Sequence, residues 1–103
     1  MFIPPVDDKK EAEIIEFIQR RFPNDAGWLD GNCYWFAAIL EMKFDLATFY
    51  QPIKGHFVAG DSVRFYDWTG RVMDVDEDAP ILFEELWYKD RSWASRIFRD
   101  CTE

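Results

Sequence analysis

The sequence predicts a single α+β domain over residues 1–103, and three observations support this fold class. Apolar residues recur at helical spacing near both ends of the chain. Short segments rich in aromatic and β-branched residues lie between them, as expected for strands. Apolar residues make up 49% of the chain and aromatic residues 18%, which favours a folded core over disorder. The predicted order is an N-terminal helix, a central buried helix, a small antiparallel β-sheet and two C-terminal helices.

The N-terminal helix is predicted from about Lys9 to Arg21. Asp8 is followed three residues later by Glu11, which fits a capping box, and the apolar residues beyond them repeat with helical spacing. Pro23 and the polar residues after it end the helix.

The central helix is predicted from Cys33 to about Lys43. It is apolar on every face, so we expect it to lie at the centre of the domain. Gly31 and Asn32 precede it, and asparagine is a favoured N-cap residue. Cys33 then falls in the first turn, where unpaired N–H groups and the helix dipole stabilise a thiolate.

Three segments in the middle of the chain are predicted to form the sheet. Thr48–Ile53 is the first, and Pro52 makes it an edge strand or the end of a strand. His56–Ala59 and Val63–Trp68 are stronger candidates, with Gly60–Ser62 between them as a hairpin turn. A two-residue loop that opens with this glycine would suit a type II′ turn.

The C-terminal third is predicted to hold a short strand and two helices. The strand covers Arg71–Val75. Asp78 is expected to cap the first helix, which has Pro80 at its first position and runs to about Trp87. The last helix covers about Arg91–Asp100 and places its apolar residues on one face.

Charge and composition narrow the classes of function. Twenty acidic and twelve basic residues give a net charge of −8, which disfavours direct binding to nucleic acid or to anionic membranes. The first residues resemble no secretion signal, and no apolar run approaches the roughly 18 residues of a membrane span, so we expect a cytoplasmic protein.

No cofactor or metal is expected from the pattern of ligating residues. The two cysteines, Cys33 and Cys101, are far apart and lack metal-ligand spacing. Asp74 and the acidic residues after it follow EF-hand spacing, but Ala79 stands where that loop needs glycine. A solvated acidic turn is the better interpretation.

One histidine, one aspartate and one cysteine form a candidate catalytic set. His56 and Asp67 lie on neighbouring predicted strands, and alternation places them on the same face if the loop holds an even number of residues. A four-residue loop from Gly60 to Val63 would set them directly opposite, and a two-residue loop would make them diagonal neighbours. If that face packs on the start of the helix at Cys33, a Cys-His-Asp triad results. Cys33 would be the nucleophile, His56 the base and later the acid, and Asp67 the residue that orients the imidazole.

Three short motifs carry a resemblance to a known family. They are Gly31-Asn32-Cys33 at the start of an aromatic helix, Gly55-His56-Phe57-Val58, and Tyr66-Asp67-Trp68-Thr69-Gly70. In this order they resemble the transglutaminase-like branch of the papain-like cysteine enzymes, and also small bacterial and phage proteins with the same motifs.

The resemblance implies acyl transfer through a thioester, with a protein or peptide as substrate. Hydrolysis of a peptide or isopeptide bond, deamidation of glutamine and transfer to an amine all stay open. Family members complete the oxyanion site with a donor upstream of the cysteine, and Trp28 and Asn32 are the candidates for that role in this chain.

Other interpretations of the same residues stay open. Cys33 could be a small buried core residue, since unpaired cysteine is among the most buried residue types. Asp67 could cap the turn that follows it, and this use is compatible with a catalytic one. The alternative function is a non-catalytic acidic binding protein, such as a phage-type inhibitor or a nucleic-acid mimic.

Overall fold

The computed structural model describes residues 3–22 and 33–102, with the backbone alone for residues 100–102. The helices are α1 (Asp8–Arg21), α2 (Cys33–Phe44), α3 (Phe83–Lys89) and α4 (Arg91–Thr102). The strands are β1 (Ala47–Gln51), β2 (His56–Gly60), β3 (Phe65–Asp67), β4 (Gly70–Arg71) and β5 (Ile81–Leu82). Within this described part, the strands form one antiparallel sheet of order β4-β3-β2-β1-β5. The predicted α+β class is confirmed.

Strand β2 lies at the middle of the sheet and is buried along its whole length. Alternate side chains of the sheet enter two different apolar clusters. Phe57 and Ala59 join the first cluster, together with the inner face of α2. Val58 joins the second cluster, on the opposite face, with Phe49 and Phe65. Helix α2 therefore covers one face of the sheet, and a smaller apolar group covers the other.

Helix α1 begins one residue earlier than predicted, and its cap is a different aspartate. Asp7 is the N-cap, and its Oδ1 accepts a hydrogen bond from the backbone N–H of Lys10 at 2.8 Å. The prediction that Asp8 and Glu11 form a capping box is therefore wrong. Glu11 instead accepts a hydrogen bond from the hydroxyl of Tyr66 at 2.8 Å, because α1 packs against β4, the strand beside β3.

Helix α2 begins at Cys33 as predicted, but it is not buried on every face. Phe36 and Leu40 are fully buried, whereas Trp35 is 49% exposed and Met42 is 84% exposed. Trp35, Ile39 and Met42 follow one another at four- and three-residue intervals, so they form a single stripe along the helix. In the described part of the chain, the sheet and α4 cover the other sides of α2 and leave this stripe in contact with solvent.

The loop between β2 and β3 differs from the predicted turn. Gly60 pairs with Phe65 inside the sheet, so the loop consists of four residues, 61–64, and no type II′ turn starts at Gly60. Asp61 organises this loop, since its Oδ1 accepts hydrogen bonds from the backbone N–H groups of Val63 at 2.9 Å and Arg64 at 2.7 Å. Its Oδ2 accepts a third, from the backbone N–H of Val6 at 2.7 Å.

The segment between β3 and α4 holds two corrections. The predicted strand Arg71–Val75 is reduced to β4, which ends at Arg71. Asp78 does not cap a helix, because its carboxylate accepts hydrogen bonds from the backbone N–H groups of Ile53 and Lys54, both at 2.9 Å. Pro80 precedes β5 rather than a helix, which agrees with the place of proline at the start of a strand. The helix at this position, α3, begins three residues later.

Replacing Gly60 with alanine is expected to destabilise the fold. A Cβ atom at this position would lie 2.5 Å from the carbonyl oxygen of Arg64 and 2.5 Å from Cδ1 of Phe65. Because one of these atoms belongs to the backbone, relief requires a shift of the hairpin, and we expect a loss of about 1–3 kcal/mol in the free energy of unfolding. Urea unfolding measures this loss. Val63→Ala, in the exposed part of the same hairpin, should change the free energy by less than about 0.5 kcal/mol. An equally stable Gly60→Ala protein would contradict the described packing.

The role of Asp61 predicts a dependence of stability on pH. Burial raises the pKa of this carboxyl, but the hydrogen bonds from Arg64, Val6 and Val63 outweigh burial and hold the pKa below its ordinary value. A carboxylate with a lowered pKa stabilises the fold above its unfolded-state pKa of about 3.9, and this contribution is lost as the pH falls through the folded-state value. We therefore expect Asp61→Asn to be less stable than the natural chain at pH 7, and the difference to shrink below about pH 4.

Urea unfolding between pH 7 and pH 2 checks this expectation, with Asp76→Asn as a matched control. Asp76 is exposed in a turn, so its substitution should give a small difference at every pH. A stability difference for Asp61→Asn that stayed constant down to pH 2 would show that the charge of Asp61 does not stabilise the loop.

Candidate functional site

The chain path brings the three candidate residues to one end of the sheet. Helix α2 and strand β1 are joined by only two residues, 45 and 46, so the helix runs back along the strand. The start of α2 therefore lies near the end of β1, which is also where β2 begins and β3 ends. Cys33 is the first residue of α2, His56 the first of β2 and Asp67 the last of β3.

The register of the sheet sets the relation between His56 and Asp67. Ala59 pairs with Tyr66, and the same register continued places Asp67 opposite Val58. His56 is then the diagonal neighbour of Asp67 on the same face, as expected for a loop with an even number of residues. Nε2 of His56 lies 3.7 Å from Oδ2 of Asp67, and both side chains are more than nine-tenths buried.

The two carboxylate oxygens of Asp67 have separate partners. Oδ1 accepts hydrogen bonds from the backbone N–H of Thr69 at 2.8 Å and from its hydroxyl at 2.5 Å. Oδ2 faces His56. Asp67 thus caps the turn after β3 and also faces the imidazole. Burial raises its pKa, but His56 and the two hydrogen bonds from Thr69 outweigh burial and lower the pKa below its ordinary value. Asp67 is consequently an anion at neutral pH.

The imidazole of His56 is held between a carboxylate and an indole. Its ring centre lies 5.7 Å from that of Trp68, and the two rings meet edge to face at 61°. Nε2 is buried and forms no hydrogen bond with any described residue, since the gap to Asp67 exceeds hydrogen-bond length. A proton on Nε2 would point toward the carboxylate.

Cys33 does not share the face of the sheet on which His56 and Asp67 lie. The thiol is 1% exposed and belongs to the cluster that α2 forms with Phe57. Strict alternation along β2 places His56 with Val58, on the opposite face. The described geometry therefore brings Cys33 to the same end of the sheet as the other two residues but not to the same face. The thiol of Cys33 can therefore meet the imidazole of His56 only around the end of the sheet where α2 and β2 begin.

An open cleft of about 460 Å³ lies beside the pair. Its described lining consists of Lys54, Gly55, His56, Asp67, Trp68 and Thr69, so Cys33 is not part of it. Lys54 stands at the cleft in an ion pair with Asp74, with 2.7 Å between Nζ and Oδ2. The hydrogen bond in this pair raises the pKa of Lys54 and lowers that of Asp74.

The sequence indicated two of the six lining residues, His56 and Asp67, as site candidates, and three others lie in the motifs quoted above without an assigned role. The predicted use of Asp67 as the cap of the following turn is confirmed, and Thr69 is the residue whose backbone N–H donates the hydrogen bond to it. Lys54 carried no such signal, because it precedes a strand and its partner Asp74 is 20 positions away in the chain. The oxyanion candidates Trp28 and Asn32 lie outside the described residues.

The described residues contain no group of three or more histidine, cysteine, aspartate or glutamate side chains that could hold a metal ion. Over the same residues, no helix combines the length and the apolar character needed to cross a membrane.

Comparison with protein families gives a match for this chain. Neither the curated proteins nor the solved structures contain a significant match to the chain. A family model described as Phage YunG-like protein matches residues 14–99, a range that includes all three candidate residues. Because this range is most of the chain, the protein belongs to the Phage YunG-like family.

Proposed function

We propose that the protein is a cysteine-dependent acyl-transfer enzyme that acts on an amide or isopeptide bond of a protein or peptide. The observation that carries the proposal is the buried pair of His56 and Asp67 beside an open cleft, at the end of the sheet where α2 begins with Cys33. A histidine oriented by a buried aspartate is the arrangement that activates nucleophiles in acyl transfer. The resemblance of the three motifs to transglutaminase-like enzymes supports the same reaction class.

Each residue has a definite task in this reaction. The thiolate of Cys33 attacks the carbonyl carbon of the amide and forms a C–S bond. His56 gives a proton to the departing nitrogen, so that the C–N bond breaks and a thioester remains. Water or an amine then loses a proton to His56 and attacks the thioester, and the C–S bond breaks to release the thiolate. Because Asp67 faces Nε2, the other ring nitrogen, Nδ1, is the one available to the thiol.

The start of α2 supports the chemistry at Cys33. A thiol in the first turn of a helix lies near unpaired N–H groups, which stabilise the thiolate and also suit the oxyanion of a tetrahedral intermediate. The helix has no acidic residue in its first turn that would oppose this effect. The proposal requires the thiol of Cys33 to reach the imidazole of His56 around the end of the sheet, where α2 and β2 both begin.

A second function is favoured by a different observation. Cys33 is almost fully buried and its cluster lies on the opposite face of the sheet from His56. If the thiol is only a core residue, the chain is a non-catalytic binding protein whose net charge of −8 suits a basic partner. An inhibitor of a basic protein or a nucleic-acid mimic would have this character, and the His56–Asp67 pair would then be structural.

The pH dependence of thiol alkylation tests the proposed function. We expect iodoacetamide to modify Cys33 in the native protein well below pH 8, because a helix start and an imidazolium both lower the pKa of a thiol from about 8.5. His56→Ala should shift the reaction toward the pH of an ordinary thiol and slow it at least about tenfold at pH 6. Peptide mass spectrometry separates Cys33 from Cys101 in the same sample.

Two controls accompany this measurement. Cys33→Ala should remove the fast reaction and leave the circular dichroism spectrum unchanged. Lys54→Ala changes another residue of the cleft that has no proposed role with the thiol, so it should leave the pH profile in place. If Cys33 reacts only after the protein unfolds, the catalytic proposal fails and the binding function is the one to pursue.

A further inference from the structure

A second pocket lies away from the cleft, where α3 meets α2 and the first residues of β1. It encloses about 190 Å³, and none of its lining residues is shared with the cleft beside His56. This volume is smaller than the roughly 300–1,000 Å³ of sites for drug-sized ligands, so the pocket suits one small group rather than a whole cofactor. Four of the side chains that line it are aromatic: Tyr34, Phe83, Trp87 and Tyr88.

Two glutamates line the same pocket, one of them half-buried and the other exposed. Glu41 comes from α2 and Glu84 from the first turn of α3. Burial raises the pKa of Glu41, a hydrogen bond from the backbone of Thr48 lowers it, and the negative charge of Glu84 raises it further. Among the described ion pairs, none joins a lysine or an arginine to either carboxylate. The pocket therefore concentrates negative charge without a counter-ion from the described chain.

Aromatic walls and paired carboxylates together suit one kind of ligand. The faces of aromatic rings attract organic cations, and they do so most strongly where water is partly excluded. A carboxylate beside the rings adds a direct charge interaction. A divalent metal would need more oxygen ligands than two carboxylates provide, and a neutral apolar group would leave the half-buried carboxylate of Glu41 without a counter-charge.

We propose that this pocket binds an alkylammonium group, either the quaternary headgroup of a small molecule or the end of a lysine side chain. Trp87 already receives one cation on its ring, since the guanidinium of Arg91 lies 5.1 Å from the ring centre. Arg91 itself does not line the pocket. The site is independent of Cys33 and of acyl transfer.

Nuclear magnetic resonance of the full-length chain tests this binding. The indole N–H signal of Trp87, assigned by its loss in Trp87→Phe, is followed during titration with choline chloride and, separately, with n-butylammonium chloride at constant ionic strength. The uncharged analogue 3,3-dimethyl-1-butanol has nearly the same shape as choline. We expect at least one cation to shift the Trp87 signal in a saturable way, and to bind at least about tenfold more tightly than the alcohol.

A matched pair of variants tests whether the charge of Glu84 contributes to cation binding. Glu84 and Glu85 are neighbours in the first turn of α3, but only Glu84 lines the pocket. Glu84→Gln should weaken cation binding about tenfold, and Glu85→Gln should leave it nearly unchanged. Binding of choline alone would identify a quaternary ligand, and binding of butylammonium would identify a lysine-like one; both support the proposal. Equal binding of the alcohol, equal effects of the two variants, or no shift of Trp87 with either cation would overturn it.

Discussion

The burial of β2 on both faces is the constraint on which the rest of this structure depends. One face of the strand packs on α2, and the other packs on Phe49 and Phe65. Polar groups are costly in such a strand unless they have partners, and the one polar side chain of β2 is found where the strand begins. His56 stands at the first position, beside a carboxylate. Gly60 stands at the last position, where the carbonyl of Arg64 approaches too closely for any side chain. The cleft beside His56 thus lies at the start of β2, where the apolar core ends.

Periodic patterns predicted the elements with strong local signals. Helix α1, the start of α2 and the pairing of β2 with β3 all follow from spacing within short segments. The two-residue strand β5 is too short to show a period, and Pro80 suits the start of a strand as well as the start of a helix. The partners of Asp78 are backbone groups about 25 positions away, which local patterns do not contain. The same reason explains why the cap of α1 was predicted at Asp8 although it is Asp7. Both residues suit the position, and the packing of α1 selects one of them.

The candidate site shows the same division between local and distant information. Alternation along two adjacent strands was enough to predict that His56 and Asp67 share a face. Which face α2 covers depends on contacts between segments far apart in the chain, and here the covered face is the other one. The exposed stripe of α2 has a similar origin, because an all-apolar helix does not reveal which of its sides will lack a neighbour. The second pocket combines residues from 34 to 88, so no local motif could have indicated it.

The divided role of Asp67 links the turn after β3 to the orientation of the imidazole. The same carboxylate accepts a hydrogen bond from the backbone N–H of Thr69 through Oδ1 and faces His56 through Oδ2. A fluctuation that opens the turn therefore frees the carboxylate to rotate, and the histidine loses its oriented anion in the same event. The amide of Thr69 can exchange its hydrogen with solvent only in that opened state. Its exchange rate consequently reports how often the pair at the end of the sheet comes apart.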